Sequence, residues 1–164
     1  MISFAITRSK RLVAMAGTAS ILYGALFLTP QVANVALAQD IASKANTLLS
    51  NTITQIQGLM TSMSQGCSGG PSGVPPVNWG ALQAQGNAAV NAFQNARVAL
   101  ARGDMSTVVQ QINAGEVGLN NLVNGAHDNC SGGAHGVDPV SYGAYQQTRA
   151  TLIGNLEGAK PFLQ

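Results

Sequence analysis

The chain has 164 residues, of which only 9% are charged and 5% aromatic. Three of its eight basic residues, Arg8, Lys10 and Arg11, lie at the N-terminus, so residues 39–164 keep five basic against six acidic side chains, a net of −1. That balance excludes a basic face for neutralising phosphates, and nucleic acid is not an expected partner.

Residues 1–38 read as an export signal. After the basic stretch, Leu12 to Leu28 is uncharged and mostly apolar, Pro30 breaks the run, and Ala36-Leu37-Ala38 is a small-x-small cleavage site before Gln39. No cysteine follows at lipoprotein distance. The competing reading is an uncleaved anchor, which would be the chain's one route to a membrane. The expected location is extracytoplasmic, periplasmic or secreted.

The domain is expected at 39–164, long enough to bury a core without metals. Its polar surface carries twelve Asn and twelve Gln in place of charges, so recognition is expected to be short-range. Four segments show helical periodicity. The first stripe is Ile41, Ala45, Leu48, Leu49, Ile53, Ile56, Leu59, Met60 and Met63; the second is Leu82, Ala89, Val90, Phe93, Ala96 and Leu100. The third is Met105, Val108, Val109, Ile112, Leu119, Leu122 and Val123; the fourth is Val140, Tyr145, Leu152, Ile153, Leu156 and Leu163. Asn78 is expected to cap the second helix. Asp138-Pro139 is expected to open the fourth, with the carboxylate on free N–H groups and proline at the first helical position. Arg102-Gly103-Asp104 gives a helix stop followed by an N-cap, and so short a connection forces antiparallel neighbours. The fold class is therefore all-α, an up-down-up-down four-helix bundle. The same account absorbs the adhesion tripeptide that these three residues spell.

The chain also repeats itself. Cys67-Ser-Gly-Gly-Pro-Ser-Gly-Val-Pro-Pro-Val77 recurs 63 residues later as Cys130-Ser-Gly-Gly-Ala-His-Gly-Val-Asp-Pro-Val140, with eight of eleven positions identical. At the same offset Leu49 meets Ile112, Ile56 meets Leu119, Leu59 meets Leu122, Val90 meets Ile153, Phe93 meets Leu156 and Leu100 meets Leu163. Two duplicated helical hairpins, about 40–101 and 103–164, are the expected organisation, related by a pseudo-twofold axis. Each copy holds one of the two cysteines. In an exported chain these read as one disulfide, Cys67 to Cys130, placed at one end of the bundle.

That end gathers the candidate sites. Trp79, Tyr142, Tyr145 and His135 are the expected contacts for a protein partner or small ligand. Gly-rich loops beside helix N-termini suit an anion, but no phosphate-binding lysine is present and the glycines also serve as turns. His127, Asp128 and His135, with Met60 and Met63 approaching from the first helix, form an alternative metal set for copper, zinc or nickel. Against it, the first copy lacks the equivalent ligands and methionine is a common core filler. His127-Asp128 with Ser131 supplies the residue types of a hydrolytic triad, on one loop and without a fixed base-nucleophile geometry. There is no HExxH, no nucleophile elbow and no haem-attachment motif. Glu116 and Glu157 are expected to be isolated and solvated. The leading expectation is thus an exported, non-enzymatic binding module without a cofactor. A metal-binding protein and a self-associating envelope protein are its alternatives.

Overall fold

The computed structural model describes residues 30–68, 76–130 and 139–163, with side chains placed for 35–64, 79–127 and 141–163. Over these residues the chain is all-helical: α1 (Pro30–Ser68), α2 (Pro76–Ala101), α3 (Met105–Cys130) and α4 (Pro139–Ala159), followed by a 3-10 turn (Lys160–Leu163). None of these helices is long and apolar enough to cross a membrane.

Neighbouring helices run antiparallel. Asn46, early in α1, accepts a 2.8 Å hydrogen bond from Nε of Arg97, late in α2. At the other end Met60 of α1 lies against Gly86 of α2, with Leu122 of α3 beside them. Asn124 of α3 accepts from Arg149 of α4 at 2.9 Å, and α1 and α4 share a groove between Gly58 and Tyr145. The α2–α3 connection forms as its residues dictate. Gly103 takes a positive φ of 74°, and Asp104 accepts from the Thr107 N–H at 3.0 Å and its hydroxyl at 2.6 Å. Those bonds hold the Asp104 carboxyl below the usual carboxylate range and satisfy N–H groups that the new helix leaves open.

The core follows the four apolar stripes. Leu49, Ile56, Met63, Leu82, Phe93, Ile112, Leu119, Leu122, Leu152 and Leu156 are all at most 1% exposed. Burial recurs at the 63-residue spacing: Leu49 and Ile112, Ile56 and Leu119, Leu59 and Leu122, Phe93 and Leu156, Leu100 and Leu163 are buried at both positions, while of the pair Val90 and Ile153 the first is buried and the second partly so. Two glycines let α2 and α3 approach closely. A Cβ on Gly118 would sit 3.0 Å from the Ala89 backbone, and one on Gly115 would meet the Phe93 ring at 2.5 Å.

Four boundaries differ from expectation. Helix α1 already includes Pro30, ahead of the expected domain start at residue 39. The small-x-small stretch 36–38 therefore lies inside a helix. Pro76 and Asn78 both lie within α2, so Asn78 is not its cap. The fourth α-helix stops at Ala159, since Pro161 cannot donate to the preceding turn and clashes with it. Finally, the backbones at Cys67 and Cys130 belong to the last turns of α1 and α3, not to the loops that follow. Their side chains, and hence the expected bridge, lie outside those described.

Candidate functional site

The end of α1, the start of α2, the end of α3 and the start of α4 converge on one end of the bundle. Helical spacing brings three of the predicted contacts to it. Trp79, in the first turns of α2, is partly buried against the core. Tyr142, at the start of α4, is likewise half-buried, and the exposed His127 ring on α3 lies over it with centroids 4.8 Å apart and planes tilted by 46°. Tyr145, one turn along, is only 5% exposed. Its ring forms part of the floor of an open groove of about 370 Å³ between α1 and α4, whose other walls include Gln55, Ser62 and Thr148. Such an arrangement offers aromatic faces, amides and hydroxyls, and it offers little charge. It suits contact with a neutral polar or aromatic surface. His135, the fourth predicted contact, lies outside the described residues.

Of the alternative metal set, both methionines are packed between helices. Met63 is fully buried in the core, and Met60 is half-buried, seated against Gly86. Their thioethers fill space between helices, the ordinary use of methionine. The Asp128 side chain and His135 lie outside the described residues. Among the described residues no three His, Cys, Asp or Glu side chains lie close enough to hold a metal ion.

A charged cluster departs from the sequence expectation. Glu116 is not solvated: it is 8% exposed and accepts a hydrogen bond from Lys160 Nζ at 2.8 Å through Oε2. The same ammonium donates to Glu157 at 2.6 Å. Oε1 of Glu116 is buried without a hydrogen-bond partner. Burial pushes the Glu116 carboxyl above its ordinary value, and the Lys160 hydrogen bond only partly opposes this. The exposed Glu157 carboxyl moves the other way, lowered by its own bond to Lys160. Burial pulls the Lys160 ammonium down, but two carboxylate acceptors outweigh it and raise its pKa. A signal for this burial was present in the sequence. Glu116 falls four residues after Ile112 and three before Leu119, on the third apolar stripe, and the repeat sets it on Ile53, which is buried. The cluster fastens the C-terminal turn to α3.

Comparison with protein-family models, with curated proteins and with solved structures finds no match.

Proposed function

We propose that this chain is an exported, non-enzymatic helical-bundle module that binds a protein partner or small ligand at the end where its two repeated loops emerge. The observation that carries this reading is the contact of the His127 ring with Tyr142 at the end of the bundle where Trp79 also lies, with Tyr145 one turn further along α4 in the floor of the groove. Aromatic rings with one buried face and one wet face are the usual anchors of recognition surfaces. His135 is the fourth contact in this account.

Two further elements belong to the proposal. Residues 1–38 act as a cleaved export signal, with Ala36-Leu37-Ala38 presented for cleavage before α1 folds through it. The two hairpins are copies of one ancestral unit, a reading supported by burial recurring at the repeat spacing. In a duplicated antiparallel bundle the chain ends of α1 and α3 fall together, which brings Cys67 and Cys130 within reach of one disulfide.

The test uses Trp79, the chain's single tryptophan, as its own reporter. Protein recovered natively from the extracytoplasmic fraction is titrated with the concentrated small-molecule and protein fractions of the same compartment. The account expects a saturable change in Trp79 fluorescence that Tyr142→Ala weakens by about tenfold, without loss of helicity. A null response to every fraction contradicts it. Saturation only with copper, zinc or nickel, lost in His127→Ala with His135→Ala, would transfer the function to the metal reading.

A further inference from the structure

We infer a second binding site, at the opposite end of the bundle: the groove between the N-terminal half of α1 and the C-terminal 3-10 turn takes a single-chain amphiphile with a zwitterionic head group. The groove encloses about 460 Å³, within the range of roughly 300–1,000 Å³ typical of small-molecule sites. Its walls are apolar, with Ile41, Ala45 and Leu48 on one side and Ala159, Phe162 and Leu163 on the other. From Asp40 to Leu48 it follows α1 for about 12 Å at the helical rise. An apolar trough that runs along a helix suits an alkyl chain. Phe162, in its lining, stands 68% exposed, so a large apolar face there remains in water until something covers it.

Charge at the rim selects the head group. Asp40 and Lys44, one helical turn apart, form a 2.7 Å ion pair with side chains 53% and 76% exposed. An exposed pair of this kind is worth little by itself and exchanges readily. An anionic head would meet Asp40, and a cationic head would meet Lys44. A head carrying both signs satisfies each of them.

An independent observation shows that the trough wall is held in place. The turn bearing Phe162 and Leu163 is tied down by Lys160, whose ammonium bonds to the buried Glu116 and to Glu157. Leu163 is 2% exposed and anchors the turn in the core, which leaves Phe162 to form the outer lip. In a chain with so few charges, this pinning is spent on one short terminal turn. Of the groove residues only Leu37 precedes the proposed cleavage point, so the trough persists in the processed chain.

The experiment is calorimetric titration of the natively recovered protein with dodecylphosphocholine kept below its micelle concentration. Saturable binding of one molecule per chain is expected. Phe162→Ala, at an exposed position, should weaken it by about tenfold, and Ala159→Phe, which fills the trough, by at least as much. Asp40→Lys should turn the preference toward dodecyl sulfate. Trp79→Ala, at the other end, should leave binding unchanged, so this site and the one proposed above succeed or fail separately. No saturable uptake, or uptake indifferent to Phe162→Ala and Ala159→Phe, overturns the inference. A concentration-dependent dimer abolished by Phe162→Asp, without uptake of the amphiphile, also overturns it and assigns the trough to a second copy of the chain.

Discussion

Glu116 is the residue at which local chemistry and the surrounding fold disagree most. A carboxylate on an apolar stripe loses hydration, and one of its oxygens finds no donor. Because its folded pKa is raised above the ordinary 4.5, the folded state holds that proton more firmly than the unfolded chain. The contribution is therefore harmless below 4.5, and it subtracts from stability as pH climbs from there through the raised value. The Glu157 and Asp104 carboxyls are both lowered, so their contributions fade only below that window. Lys160 is raised and loses its contribution only above 10.5. Urea unfolding from about pH 4 to pH 8 should thus show a decline in the parent that Glu116→Gln removes. Identical slopes in the two proteins would mean that Glu116 is solvated or that Lys160 fully compensates it.

At the scale of the elements, the glycines divide into two kinds with opposite predictions. Gly118 lies where α2 and α3 nearly touch, and a methyl there meets Ala89 backbone, which cannot rotate away. Gly118→Ala should destabilise by about 1–3 kcal/mol, because overpacking outweighs the gain in helix propensity. Gly154 has nothing within 4 Å of its would-be Cβ, so Gly154→Ala should stabilise by about 0.5–1 kcal/mol. Thermal unfolding of the two variants checks both signs, and two shifts of the same sign would contradict the close approach. The helices themselves were legible in the sequence. Periodicity placed all four, and nearly every stripe residue whose side chain is described is buried or packed against the core. The Gly103-Asp104 stop and start form as their chemistry requires. What escaped was set by proline and by distant partners. Pro76 and Asn78 both lie within α2, where Asn78 is the expected cap, and Pro161 converts the end of α4 into a tighter turn. The pairing of Glu116 with Lys160 spans 44 residues, and no local pattern announces it.

For the whole molecule, the aromatic contacts were legible in part. Trp79, Tyr142 and Tyr145 share one end because four antiparallel helices bring their starts and finishes together. The tilt of His127 over Tyr142 needed the α3–α4 packing to become visible. The trough at the other end was not legible, since it joins α1 residues to a C-terminal turn more than 110 residues away along the chain, and periodicity continues that turn as helix. The site proposed at the loop end rests on one premise, that the chain leaves the cytoplasm and is stapled across its repeats. A bridge from Cys67 to Cys130 would close a loop of 64 residues, worth about 4 kcal/mol in the chain-entropy account. That premise is tested most directly by the intact mass of the protein recovered from the extracytoplasmic fraction without refolding. The account predicts the mass of residues 39–164 less two hydrogens, rising by two on reduction. A full-length mass, or a processed chain with both thiols free, would contradict it.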